Sequence, residues 1–131
     1  MTDETTQAAA MRDAFDRIEE SYEFMLAYAA QGRKREMVEG SGDSQIRQYL
    51  KRFRSALDDL ENALEGLGGS DGTAFRERFQ ADLKTVRSVL ALLLAQPSIT
   101  SDMVDNTNGL IAVRAFLTDV FFTDQTILPA R

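Results

Sequence analysis

The stretch "IRQYLKRFRSALDDLENALEGL", residues 46–67, decides the architecture of the chain. Ile46, Leu50, Phe53, Leu57, Leu60, Leu64 and Leu67 follow one another at alternating steps of four and three. In a helix of about 3.6 residues per turn, that spacing puts every one of them on one face. The intervening Arg, Lys, Asp and Glu residues take the other face. A helix with a single oily stripe needs other helices to cover it, so the stretch predicts a helical bundle. Asp43 or Ser44 is placed to cap its start. The glycines of "EGLGGSDG", residues 65–72, end it, because glycine enters the left-handed conformation that closes helices.

The same rhythm recurs on both sides. Met11, Phe15, Ile18, Tyr22, Met25 or Leu26, and Ala29 mark a first helix over about 5–32, stopped by Gly32. Phe75, Phe79, Leu83, Val86, Leu90 and Leu93 mark a third over 72–96, capped by Asp71 or Thr73 and stopped by Pro97. The fourth spans 101–124. It is capped by Thr100 or Ser101, with Asp102 in its first turn, and frays before Pro129. Its seam reads Met103, Leu110, Val113, Leu117, Val120 and Phe121. No stretch alternates like a strand. Short connections suit antiparallel neighbours, so the expected fold is all-α: an up-down-up-down four-helix bundle making one domain over residues 1–131.

Composition narrows the function. The chain has 131 residues, a net charge of −6 and neither histidine nor cysteine. Nucleophile systems built on histidine or cysteine cannot be assembled, and the Cys/His zinc sites and histidine-ligated haem are equally out of reach. The di-iron pattern of helical bundles also needs histidine. No thiol framework, signal segment or apolar run long enough for a membrane is visible, which leads to the expectation of a cytoplasmic protein without membrane contact. The acidic balance argues against nucleic acid, which requires clustered Lys and Arg. No cofactor or metal is expected. The acids at Asp16, Glu19, Glu20 and Glu23, and at Asp58, Asp59, Glu61 and Glu65, read as solvated helix faces. Charge is unevenly spread, acidic over 1–32, basic over 33–54 and acidic over 55–71. Antiparallel neighbours could thereby complement one another.

Three features remain as candidates. "DNTNG", residues 105–109, fails the calcium-loop pattern, since Val104 and Ala115 fall at the end ligand positions. It reads either as a buried polar layer, fixing register or holding a small polar ligand, or as a place where the regular helix starts later or bends, with its polar groups in water. The second reading is the one adopted. A basic set, Arg33, Lys34, Arg35, Arg47, Lys51 and Arg54, offers contact to an anion or an acidic partner. Lastly, "LIAVRAFLTDVFF", residues 110–122, is apolar at ten of thirteen positions. Ile111, Ala115 and Phe122 form a second stripe beside its seam, and Val89 and Leu92 lie off the seam of helix 3. The reading is a non-enzymatic interaction module, accessory, chaperone-like or regulatory. It self-associates or binds a protein partner through this helix 3/helix 4 face. The alternative is a small ligand-binding protein or enzyme that holds an anionic or aromatic metabolite with Arg, Lys and Tyr.

Overall fold

The computed structural model describes residues 2–38, 40 and 42–130. Met1 and Arg131, the ends of the expected domain, and Glu39 and Ser41 of the long connector lie outside the described residues. The fold is all-helical among those residues, but the helices number five rather than four: α1 (Thr2–Ala29), α2 (Gln45–Ala63), α3 (Thr73–Leu94), α4 (Ser101–Gly109) and α5 (Ile111–Phe122). A π-helical turn, Thr123–Ile127, follows α5.

The expected fourth helix is interrupted at Leu110, whose backbone is extended (φ −64°, ψ 134°). Asn106, Thr107, Asn108 and Gly109 are poor helix formers in succession, and the chain yields where they end. The bend expected here is present, but only Asp105 and Asn106 of its polar residues face water. Thr107 and Asn108 are buried, and Asn108 Nδ2 donates to the carbonyl of Met25 on α1 at 3.3 Å. The terminal fraying is also corrected. Arg12 Nε reaches Asp124 at 3.0 Å, and its Nη2 donates to the carbonyl of Pro129 at 2.6 Å, tying the end of the chain to α1.

The helix ends obey local chemistry. Ser44 is the cap of α2, and Thr100 caps α4 by accepting from the Met103 N–H at 3.1 Å. α3 departs from expectation: its cap is Gly72, and neither Asp71 nor Thr73 fills that role. A Cβ built on Gly72 would stand 2.7 Å from the Gly68 Cα, so this turn is closed by two backbones with no room for a side chain. Regular α2 stops at Ala63, four residues short of Leu67. Leu64 and Leu67 nevertheless stay buried, since the turn carries the stripe onward.

Cross-links between helices give their directions. Arg17 meets Asp59 at 2.6 Å and Arg52 meets Glu20 at 2.7 Å, which sets α1 and α2 antiparallel. Arg87 bridges to Asp58 and Glu61 at 3.0 and 2.8 Å, and Arg47 at the start of α2 donates to the Leu94 carbonyl at the end of α3, so α2 and α3 are antiparallel as well. Of these pairs only Arg52–Glu20 joins the basic block to an acidic one; Arg17 and Asp59 both belong to acidic blocks, and Arg87 lies beyond them. Exposed pairs of this kind are worth only about 0–1 kcal/mol each. Most of the stability comes from the core, where Phe15, Phe53, Phe79 and Phe116 are all buried. The Phe116 ring lies 6.4 Å from that of Phe53 and 5.9 Å from that of Phe79, so α5 is seated against both α2 and α3.

Candidate functional site on the α3 and α5 surface

The two candidate sets have different fates. Of the basic residues, Arg47 is spent inside the protein. Its Nε and Nη2 grip the Glu36 carboxylate at 2.8 Å, while Nη1 and Nη2 also donate to the carbonyls of Leu94 and Gln96. Glu36 further accepts from Ser44 Oγ at 2.7 Å and from the Ile99 N–H at 2.6 Å. Burial alone pushes the Glu36 carboxyl up, but these hydrogen bonds and the Arg47 charge outweigh it and hold the group below the usual range. Lys51 pairs with Asp43 at 2.6 Å. Lys34, Arg35 and Arg54 are exposed, and Arg33 is half-buried, its Nε donating to Gln31. Arg47 and Lys51 are thus engaged by acids of the protein itself, while Lys34, Arg35 and Arg54 face solvent.

Residue Arg33 does border a cavity of about 460 Å³ at the end of α1. Phe24, Tyr28, Gln31, Asp43 and Gln48 share its wall. The Phe24 ring stacks on Tyr49 at 4.3 Å with an interplanar angle of 10°.

The apolar set stays on the surface. Ile111 is 83% exposed, Leu92 65% and Phe122 47%, while Ala115 and Val89 are half-buried. The seam of α5 differs from expectation. Val113, Phe116, Leu117 and Val120 are buried, whereas Leu110 and Phe121 stand 42% and 51% exposed. Phe116 lies on the same helical face as Val113, Leu117 and Val120, while Leu110 stands at the break and Phe121 at the edge of that face. α5 therefore shows solvent an apolar band of Ile111, Phe121 and Phe122, with small Ala115 and Thr118 between them. The Phe75 and Phe122 rings, 5.0 Å apart, join the start of α3 to the end of α5, so these two helices run antiparallel. By helical phase, Leu92 lies on the solvent side of α3, about 100° from Phe75.

Beneath this surface is a feature the sequence reading passed over. Asp82 on α3 is only 5% exposed and meets Asp119 on α5. Arg78 reaches Asp82 Oδ1 at 3.2 Å, but the Oδ2 atoms of both aspartates are buried without a hydrogen-bond partner. Burial, then the hydrogen bond and charge of Asp82, push the Asp119 carboxyl up to about 8. A visible signal existed. Asp82 sits three residues after Phe79 and four before Val86, on the oily seam of α3.

With this geometry set out, comparison with known proteins adds no assignment: no family model, curated protein or solved structure matches the chain. No helix among the described residues is long and apolar enough to cross a membrane.

Proposed function

We propose that this protein is a non-enzymatic interaction module that self-associates through the outer face of α5. In this reading α4 and α5 together stand as the interrupted fourth rod of an up-down-up-down bundle. The observation that carries it is the exposure of Ile111 and Phe122 on a helix whose opposite face is fully buried. A second copy is the occupant that suits the face, because the face is its own complement. Two copies of α5 packed antiparallel about a twofold axis level with Phe116 bring Ile111 against Phe122 at each end. Ala115 then meets Thr118 in the middle, where small side chains permit close approach. Arg114 falls beside the exposed Phe121 ring of the other copy, a cation–π arrangement.

Area sets the strength. Two half-exposed phenylalanines with Ile111 present on the order of 400 Å² of apolar side chain. A standard interface takes about 800 Å² from each partner. The dimer is therefore expected to form at micromolar rather than nanomolar concentration. Sedimentation across that range should show a monomer passing to a dimer. Ile111→Glu and Phe122→Glu should stay monomeric with an unchanged far-UV spectrum. A wild-type monomer from about 1 μM to several hundred μM would sink the reading.

A second reading rests on the cavity beside Arg33. Two aromatic rings, a guanidinium and amide side chains suit a small aromatic carboxylate. Saturating benzoate or 4-hydroxybenzoate should then raise the melting temperature of the wild type but not of Arg33→Ala. An equal response, or none, removes this reading.

A further inference from the structure

We infer that Asp82 and Asp119 form a proton-bridged latch that clamps α5 to α3 and comes undone when the proton leaves. A shared proton resolves the two unpartnered, buried Oδ2 atoms. Two carboxylates in contact repel, and neither can be rehydrated where the Oδ2 atoms have no access to water. With one proton between them the same pair becomes a short hydrogen bond spanning two helices. The charged groups acting on Asp119 are Asp82 and Arg78, both on α3. Arg78 is 69% exposed, so it offsets only part of the repulsion.

The surroundings make release consequential. One turn beyond Asp119, Thr123 is fully buried with its Oγ1 unpartnered, and there the α-helix gives way to the π turn. The Leu128 N–H closes that turn on the Thr123 carbonyl at 3.0 Å, and Arg12 fastens the chain just beyond. Loss of the proton leaves two charges in an apolar seam, and the separation of α5 from α3 is the motion that lets water reach them. The charged groups that act on Asp119 all lie on α3, so α1 and α2 serve as the internal reference. The latch is thus a regulatory element of its own, built into the helix that carries Ile111 and Phe122.

The sign follows from the direction of the shift. A carboxyl that titrates higher in the folded state stabilises it fully below the ordinary Asp range. That stability is lost as pH rises toward about 8, and is level above. Hydrogen exchange of the full chain, followed by mass spectrometry at pH 6 and pH 9 and corrected for intrinsic exchange, reads this directly. Protection of residues 111–127 should fall by roughly tenfold or more relative to α1 and α2. Asp119→Asn and Asp82→Asn, each of which keeps a hydrogen bond without a second charge, should abolish the difference. The same measurement on Ile111→Glu separates the latch from self-association, since that variant should keep the pH response while remaining monomeric. Equal relative protection at both pH values in the wild type, or an undiminished response in both Asn variants, overturns the latch.

Discussion

Glu36→Ala is expected to cost about 3 kcal/mol, seen as a fall in the urea midpoint with an unchanged slope. The carboxylate holds three partners at once. It accepts from the Arg47 guanidinium, Ser44 Oγ and the Ile99 N–H, and it holds the connector between α1 and α2 against the start of α4. Removing it strands Arg47, whose side chain is only 19% exposed, with nothing but the Leu94 and Gln96 carbonyls. Breaking a buried ion pair from one side costs about 3–5 kcal/mol, and the water still reaching Arg47 places this case at the lower end. Arg47→Ala added to Glu36→Ala should then cost less than the sum of the two singles, since the second change removes the stranded charge. Strict additivity would show that the pair contributes no mutual stabilisation. Because Glu36 titrates below its usual range, its contribution is whole at neutral pH and fades only as the solution becomes strongly acidic. Set against the opposite slope from Asp119, this places the stability maximum at about pH 4, where the ordinary Asp and Glu ranges meet.

Phe116→Ala is the other large effect, expected at about 3–5 kcal/mol. The side chain is fully buried and its ring contacts Phe53 on α2 and Phe79 on α3. Truncation removes the transfer energy of the ring and leaves a cavity that three helices line, which limits how far the site can collapse. For a domain whose whole margin is roughly 5–15 kcal/mol, this is a large share. A cost below about 1 kcal/mol in a urea titration would mean that α5 is not anchored in the core as described.

Much of this fold is readable in the sequence because its information is periodic. The seams of α2 and α3 predict their buried residues closely, since both helices run unbroken through the stripe that defines them. The end of the chain is harder for the same reason. Treating residues 101–124 as one rod carries the count through the break at Leu110: Val113, Leu117 and Val120 are buried as expected, but Leu110 and Phe121 do not join the seam, and Phe116, which the count left out, does. Starting the count at Ile111 recovers the buried set of Val113, Phe116, Leu117 and Val120.

The candidate site divides along similar lines. The apolar excess at Ile111, Ala115 and Phe122 was visible, because surplus hydrophobicity on a helix is a local property. The role of Arg47 was not. Its partner Glu36 lies eleven residues away in a connector with no periodic signal, and only the closing of that loop onto α4 brings them together. The Asp82–Asp119 contact needed the pairing of α3 with α5. An aspartate on an otherwise oily seam was the clue available beforehand.

The most direct test of self-association uses the absence of cysteine, which makes any disulfide an engineered one. Ile111→Cys and Phe122→Cys chains are oxidised separately and as an equimolar mixture. In the antiparallel pairing, like residues lie about 16 Å apart along the helices, beyond the roughly 7 Å limit for a disulfide. Covalent dimers should therefore form in the mixture and contain one chain of each kind. Dimers from either variant alone, or none from the mixture at high concentration, would contradict the arrangement.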